Sequence, residues 1–326
     1  MQKLTSVMYH YVRDLKSSRY PDIKGLDLEL FIEQIKYLMR HYKIVRMEDV
    51  IDSIYSKKSL PEKAAILTFD DGYIDHYTNV FPILKKLKIQ GSFFASSQAI
   101  IESKVLDVHK IHFILASAKD INNLILELRV SLDEYRDEFS LQSFDYYYDK
   151  LAKASIMDTK DVIFIKRLLQ VELPLGAREK ITKELFERYI DMPEESFGKE
   201  LYMNQSQIEL MVDAGMHFGS HGYRHYWWND LRDDVLEAEV RKSMHFLSKI
   251  GMDGDLLTAA YPYGSYSEKA ISVLKKNNFK IAFIASIKDV SELQMSSDRI
   301  FTSPRIDTNF IPKNSNEKPN KWHEFA

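Results

Sequence analysis

Residues 64–72 limit the possible folds more than any other segment, because an apolar run there ends in two adjacent carboxylates, Asp70 and Asp71. The run predicts a buried β-strand, in which neighbouring side chains point to opposite faces. Both carboxylates can serve one site only where the strand ends and the backbone turns, which Gly72 permits. The segment predicts either an ordinary turn or a site in which one carboxylate binds a metal and the other acts as a base.

The rest of the chain alternates predicted strands with predicted helices. Such alternation favours parallel strands joined by helical crossovers, with functional groups at the C-terminal ends of the strands. The apolar spacing predicts helices at residues 28–41, 78–87, 204–214, 235–249 and 268–277, and strands at 42–45, 66–69, 90–95, 217–220, 257–261 and 280–285.

Two further segments contain residue types that suit a metal site. His221 and His225 are four residues apart, and this spacing can bring both imidazoles to one metal if the segment forms a helical turn. Residues 261–264, Tyr-Pro-Tyr-Gly, form a predicted turn that closes the apolar stretch at 256–260.

These three segments, in this order, resemble the motifs of the polysaccharide deacetylase family, also called the NodB homology domain or carbohydrate esterase family 4. Residues 68–72 are similar to the first motif, 221–225 to the second and 261–264 to the third. The resemblance implies an α/β fold, a distorted and incomplete (β/α) barrel of the NodB type. Supporting similarity is found at residues 9–12, 91–94 and 305–307.

The resemblance also implies a reaction, the hydrolytic removal of an N-acetyl group from an amino-sugar derivative. Asp71, His221 and His225 would hold one divalent metal, and Asp70 would be the general base. The backbone N–H of Tyr263 would help to hold the oxyanion. Zinc suits two imidazoles and one carboxylate, but Co²⁺, Ni²⁺ and Fe²⁺ suit them too.

The sequence departs from the family pattern in two places. Many members have an arginine just before the Pro-Tyr of the third motif, where this chain has Ala260 and Tyr261. Arg305 is the candidate to grip Asp70 in its place, since a guanidinium holds a carboxylate in a fixed bidentate geometry. The late Leu-x-His that supplies a general acid is also missing, which makes His10 the candidate acid and His323 a poorer one.

Because of these departures, alternatives to the deacetylase remain open. The chain could be a catalytically inactive carbohydrate-binding or regulatory protein on the same scaffold. It could also be an enzyme that acts on a formamide, another amide or an O-acetyl ester. The sequence does not choose among these substrates.

Residues 99–200 do not fit the strand and helix alternation. Their apolar spacing predicts amphipathic helices at 124–130, 146–154, 162–169 and 178–190, with Asp158 as an N-cap. We therefore expect residues 1–98 and 201–326 to form the barrel and 99–200 to form a helical insertion that could cover the active site. The tyrosines at 146–148 favour packing, and the aromatics at 226–228 favour a sugar platform.

Composition narrows the possible partners. The chain has 326 residues, 45% of them hydrophobic and 29% charged, as in globular proteins. A net charge of -3 gives no reason to expect nucleic acid or an anionic membrane surface as a partner. The absence of cysteine excludes disulfides and thiolate chemistry. The expected partner is an N-acetylated sugar, and the sequence does not indicate an oligomeric state.

The N-terminal segment bears on localisation. Residues 4–10 look like the first strand, with no signal-peptide pattern ahead of them, and no apolar stretch approaches a transmembrane helix. The sequence therefore predicts a cytoplasmic protein. A cytoplasmic family member would work on a precursor, such as a nucleotide-linked or lipid-linked amino sugar or an oligosaccharide.

Overall fold

A computed structural model describes residues 3–56, 58–155, 158–286 and 297–321. The chain divides into two compact units: Met1–Asp14, Gly25–Lys104 and Gly198–Ala326 form the first, and Leu15–Lys24 and Val105–Phe197 form the second. The predicted insertion, residues 99–200, has similar bounds but lacks Leu15–Lys24. Its function as a cover stays a prediction, and His323 lies outside the described residues.

The first unit is built around a closed ring of seven parallel strands. The ring runs β1-β10-β9-β8-β7-β6-β5 and closes because β1 also pairs with β5. It is one strand short of a complete (β/α)₈ barrel, which confirms the predicted incomplete (β/α) barrel. The strands are β1 (Leu4–Tyr9), β2 (Val12–Arg13), β3 (Leu26–Asp27), β4 (Lys43–Ile44), β5 (Ala64–Asp70), β6 (Gly91–Ala95), β7 (His217–Ser220), β8 (Thr258–Ala260), β9 (Ile281–Ser286) and β10 (Ser303–Asp307).

Helices connect these strands and form the second unit. In chain order they are α1 (Leu28–His41), α2 (Met47–Tyr55), α3 (Phe81–Leu87), α4 (Ser97–Glu102), α5 (Asp107–Ser117), α6 (Ile121–Glu134), α7 (Arg136–Phe139), α8 (Phe144–Leu151), α9 (Lys160–Arg167), α10 (Leu175–Tyr189), α11 (Glu194–Leu201), α12 (Gln205–Asp213), α13 (Asp233–Lys249) and α14 (Glu268–Lys276). Two π-helical segments, His76–Val80 and Leu168–Glu172, precede α3 and follow α9.

Short 3₁₀ segments complete the connections in the first unit. They are Trp228–Asp230, Gly254–Leu256, Pro262–Gly264, Ser297–Thr302 and Thr308–Phe310. The sequence pattern located α1, α12, α13 and α14 to within a few residues, and Asn204 caps α12 as predicted. It missed α2 and α4, which are short at nine and six residues, and α5, whose buried residues are spread around the helix.

An aromatic layer fixes the register of four neighbouring strands. Tyr9, Phe69, Phe93 and Phe218 are in-register partners on β1, β5, β6 and β7. Their rings stack in sequence with centroid separations of 5.1, 4.8 and 5.3 Å. Because neighbouring strand residues point to opposite faces, Asp70 lies on the face opposite this layer. The packed layer therefore fixes the direction in which Asp70 points.

The second unit is helical, with a core of aliphatic and aromatic side chains such as Leu124, Leu128 and Phe164. Within it, the prediction that Asp158 caps α9 is wrong, because the Thr159 side chain accepts the Val162 N–H. Asp158 instead pairs with Lys24 and with Lys166, the latter at 2.8 Å.

The tyrosines of α8 separate into buried and exposed members. Tyr147 is buried and the Tyr148 ring stacks on Phe144, whereas Tyr146 is 48% exposed.

Among all described residues, no helix has both the length and the apolar character required to cross a membrane.

Candidate metal centre

The two adjacent carboxylates lie at a sharp turn. Strand β5 ends at Asp70, and Asp71 and Gly72 both have positive φ, 77° and 74°. The Asp71 N–H donates to the Phe94 carbonyl at 2.8 Å, which ties the turn to β6. A Cβ at position 72 would lie 2.9 Å from the Ala95 Cβ, so glycine is required for space as well as for φ.

Three side chains converge beyond this turn. The Asp71 Oδ1 lies 3.5 Å from His221 Nε2 and 3.4 Å from His225 Nε2, and the two Nε2 atoms are 3.2 Å apart. All three residues are buried. Ligands at about 2.0–2.2 Å from a tetrahedral metal are about 3.3–3.6 Å from one another. The three donor atoms therefore have a spacing that fits a divalent metal.

Neighbouring groups orient two of these donors. The Ala260 carbonyl is 2.7 Å from His221 Nδ1. Since a carbonyl only accepts, Nδ1 carries the hydrogen and the Nε2 lone pair faces the other donors. The Tyr73 hydroxyl donates to Asp71 Oδ2 at 2.8 Å, which leaves Oδ1 directed at the histidines. This donor set fits a metal better than a hydrogen-bonded cluster, because the two Nε2 atoms face each other.

The connection between the two histidines differs from the prediction. Residues 221–225 form an irregular loop and not a helical turn. Gly222 and His225 have φ values of 74° and 61°. These left-handed residues fold the loop back, so that two imidazoles four residues apart meet without a helix.

Asp70 has a different environment from Asp71. Arg305 donates from Nη1 to Asp70 Oδ1 at 2.8 Å and from Nη2 to Oδ2 at 2.7 Å, while its Nε donates to the Ile284 carbonyl. Both side chains are buried. Burial alone would raise the pKa of Asp70, but the charge and the hydrogen bonds of Arg305 lower it, and the net pKa lies below its ordinary value.

His10 follows β1 and lies near the same carboxylate. Its Nε2 is 4.0 Å from Asp70 Oδ2, and its side chain is 40% exposed. The His10 carbonyl is 2.9 Å from Nε2 of the buried His76. This contact fixes the backbone of His10 and leaves its imidazole open to solvent.

Tyr263 lies beside His225. Its φ is 57°, and its ring centroid is 4.6 Å from that of His225 and 4.3 Å from that of Trp227, on which it stacks. Trp228 is buried and packs edge-on against Tyr261. The prediction that Trp228 belongs to a sugar platform is therefore wrong, whereas Trp227 does lie beside the site.

Strained backbone is concentrated at this site. Asp71, His225 and Tyr263 are three of the eight non-glycine residues with positive φ in the described chain. Such conformations cost about 1–3 kcal/mol each and persist where the surrounding structure enforces them, often at functional sites.

The sequence did not indicate two further buried residues that support the site, Tyr73 and Glu239. Tyr73 follows the first motif by one residue, but nothing in the sequence indicates Glu239.

Comparisons with known proteins show the family of the chain. A family model described as polysaccharide deacetylase matches residues 57–123 and 182–282, slightly more than half of the chain. The poly-β-1,6-N-acetyl-D-glucosamine N-deacetylase of Escherichia coli K12 is 37% identical over 82 residues. This match covers 24% of the chain but only 12% of the length of that relative.

Solved structures extend the likeness to the whole fold. IcaB from Ammonifex degensii has a TM-score of 0.57 and 18% identity, over 99% of this chain and 98% of that one. A de-N-acetylase from Aggregatibacter actinomycetemcomitans has the same TM-score with 15% identity, over 100% of both chains. The fold and the site thus define an α/β barrel with a buried donor set suited to a metal. The chain belongs to the polysaccharide deacetylase family.

Proposed function

We propose that this chain is a metal-dependent N-deacetylase that removes the acetyl group from an N-acetylated amino-sugar derivative, releasing acetate and a free amine. The observation that carries the proposal is the placement of two unlike groups at adjacent residues. Asp71 meets His221 and His225 within 3.5 Å, and Asp70 is gripped by Arg305 within 2.8 Å.

Asp71, His221 and His225 would hold the metal, with zinc as the first candidate and Co²⁺, Ni²⁺ or Fe²⁺ as alternatives that suit the same donors. A divalent cation there supplies Lewis acidity, which acidifies water and polarises the acyl carbonyl.

The other residues of the site would move protons and stabilise charge. Asp70, kept ionised by Arg305, would take a proton from the attacking water as its oxygen bonds to the acyl carbon. The backbone N–H of Tyr263 would donate to the developing oxyanion. His10 would give a proton to the nitrogen as the C–N bond breaks, so that the products are acetate and an amine.

Arg305 bears on the inactive alternative. Two departures motivated that alternative, the missing Leu-x-His and the missing arginine of the third motif, without which the buried Asp70 would lack a countercharge. Arg305 supplies that countercharge from β10, with two nearly equal hydrogen bonds. The pairing supports a working base and favours the enzyme over a spent scaffold.

The substrate proposal combines the relative's name with the local surface. The Escherichia coli relative is named for poly-β-1,6-N-acetyl-D-glucosamine. We infer that β-1,6-linked N-acetylglucosamine oligomers are the first substrates to test, with nucleotide-linked amino sugars as the choice if the protein is cytoplasmic. The stacked Trp227 and Tyr263 rings offer an apolar surface for a sugar ring.

The test pairs the metal content of purified protein with acetate release from a substrate panel. The panel contains β-1,6-linked and β-1,4-linked N-acetylglucosamine oligomers, N-acetylated sugar nucleotides, an N-formyl analogue and an O-acetyl ester. We expect about one metal per chain and acetate release from at least one N-acetylated sugar. Release of formate or of ester acetate alone would move the reaction to another acyl substrate. Protein without metal and without turnover would favour the binding scaffold.

A further inference from the structure

Glu239, on α13, lies buried beneath the loop that joins the two histidines. Its Oε2 accepts the N–H of Tyr223 at 2.9 Å and the N–H of Arg224 at 2.7 Å. These are two of the three residues between His221 and His225. One carboxylate oxygen therefore holds the backbone that sets the separation of the two imidazoles.

The carbonyls of the same loop are held from another element. The Gly222 carbonyl accepts the Ser97 N–H at 3.2 Å, and the Tyr223 carbonyl accepts the Gln98 N–H at 2.9 Å. The Ser96 hydroxyl donates to the Tyr223 carbonyl at 2.9 Å. The start of α4 thus binds the carbonyls and Glu239 binds the amides, which clamps the loop between two elements of the first unit.

The loop needs such a clamp because its backbone is strained. Gly222 and His225 are both left-handed, and a non-glycine residue such as His225 rarely adopts this conformation. Strain of this kind persists only when several contacts enforce it. A Cβ at position 222 would lie 3.3 Å from Glu239 Oε2, so the carboxylate also packs directly against the turn.

We propose that Glu239 is a positioning residue of the metal centre, which fixes His225 relative to His221 through the amides of Tyr223 and Arg224. The inference rests on the proposed function, since it concerns residues that would bind the metal. It adds a residue that touches neither the metal donors nor the substrate. Its expected effect is on metal affinity and geometry, and on turnover only as a consequence.

Three substitutions at position 239 test this role. Glu239→Ala removes both hydrogen bonds, and Glu239→Asp keeps the charge but withdraws it from the amides. Glu239→Gln keeps an oxygen that can accept both N–H groups without the charge. The matched control is Glu237→Ala, because Glu237 lies on the same helix but is more than half exposed, 3.6 Å from Lys276.

The readouts are the Zn²⁺ dissociation constant, measured by chelator competition, and the visible spectrum of the Co²⁺-loaded protein. Loss of a group that orients a metal ligand typically weakens metal binding about 10–100-fold. We expect that loss for Glu239→Ala and Glu239→Asp, with altered Co²⁺ band intensities. For Glu239→Gln we expect metal affinity to fall by less than about 10-fold. The glutamine oxygen can still accept both N–H groups, but these hydrogen bonds are weaker without the negative charge. Glu237→Ala should behave as wild type.

The outcomes separate this inference from the proposed function. If wild type binds no metal, the proposed metal centre itself is wrong, and the inference falls with it. If wild type binds metal and folded Glu239→Ala binds it with the same affinity and Co²⁺ spectrum, Glu239 is only a structural residue. Should Glu239→Ala fail to fold, Glu239→Asp decides, since unchanged affinity there would equally overturn the inference.

Discussion

Asp70 and Asp71 are neighbours in the chain, yet their carboxylates lie in two different halves of the site. In the first half Asp70 contacts the Arg305 guanidinium, with His10 at 4.0 Å. In the second half Asp71 contacts Tyr73 and faces the two histidines. The left-handed turn at Asp71 separates the two side chains immediately after the strand. The partners of a carboxylate, more than its position in a motif, therefore decide what it can do.

The two carboxylates differ in what they interact with: Asp70 is paired with a positive charge, and Asp71 belongs to a set of metal donors. A guanidinium that donates a hydrogen bond to each oxygen of Asp70 keeps the carboxylate ionised and fixed in orientation, as a general base requires. Two imidazoles with facing Nε2 atoms leave a gap that a cation fits, as a metal site requires. Each half predicts a different response to substitution.

The largest expected effect comes from breaking the metal half. His225→Ala removes one of three donors, and we expect both bound metal and acetate release to fall to background. Metal analysis by mass spectrometry together with acetate release checks this. His245→Ala, on α13 and outside the donor cluster, is the matched control. A His225→Ala protein that keeps a full metal complement would contradict the assignment of this half.

The next effect tests the countercharge. Arg305→Ala leaves the buried Asp70 carboxylate unpaired, and we expect about 3–5 kcal/mol of lost stability in urea unfolding. Turnover should fall as well, because unopposed burial raises the pKa of Asp70. Adding Asp70→Asn to Arg305→Ala removes the stranded charge and should restore part of the stability but none of the activity. If the double variant is as unstable as the single one, Arg305 serves another purpose.

A smaller effect is expected at His10. His10→Gln should lower turnover of an N-acetylated sugar by about 10²-fold, because the amine leaves poorly without a proton. Metal content should stay at the wild-type level. The comparison substrate is p-nitrophenyl acetate, whose leaving group needs no proton. If both substrates lose activity equally, His10 is not the acid.

The smallest effect concerns histidines in neither half. Burial lowers the pKa of His76 and of His217 to about 4, below the 6.5 of the exposed side chain. Between these values the unfolded chain binds more protons. The contribution of these two histidines to the free energy of unfolding is therefore fully present above about pH 6.5 and is lost as the pH falls toward 4.

At pH 5 the free energy of unfolding should be lower by about 2 kcal/mol for each of these two histidines than it is above pH 6.5. His217→Gln can keep the contact with the Leu256 carbonyl while removing the titrating group. Its urea unfolding energy should therefore fall by about 2 kcal/mol less than that of wild type between pH 7.5 and 5. An identical decline in both proteins would show that His217 does not titrate in this range.

The carboxylates, the two histidines and Arg305 could be predicted from the sequence, because short sequence patterns mark their positions. The carboxylate pair follows an apolar strand, and the strand directions bring His221 and His225 to the same end of the barrel. Arg305 was a candidate because its chemistry suits Asp70. The alternation of strands and helices predicted parallel pairing, and the resemblance to the deacetylase family implied the incomplete barrel.

The unpredictable part depends on contacts that no spacing encodes. Glu239 reaches the histidine loop from a helix that begins eight residues after His225, and its burial is visible only in the fold. The left-handed conformation of His225, which replaces the predicted helical turn, lies in a loop that α4 and α13 hold by hydrogen bonds. Segment Leu15–Lys24 joins the second unit through tertiary contacts, such as the Lys24 pair with Asp158.

The two halves are distinguished most directly by comparing Asp70→Asn with Asp71→Asn, measuring bound metal and acetate release in the same preparations. We expect Asp70→Asn to retain about one metal per chain and to lose turnover about 10²–10⁴-fold, as for a general base. We expect Asp71→Asn to lose both metal and turnover. Equal metal loss in the two variants, or turnover that survives in Asp70→Asn, would contradict the division of the site into two halves.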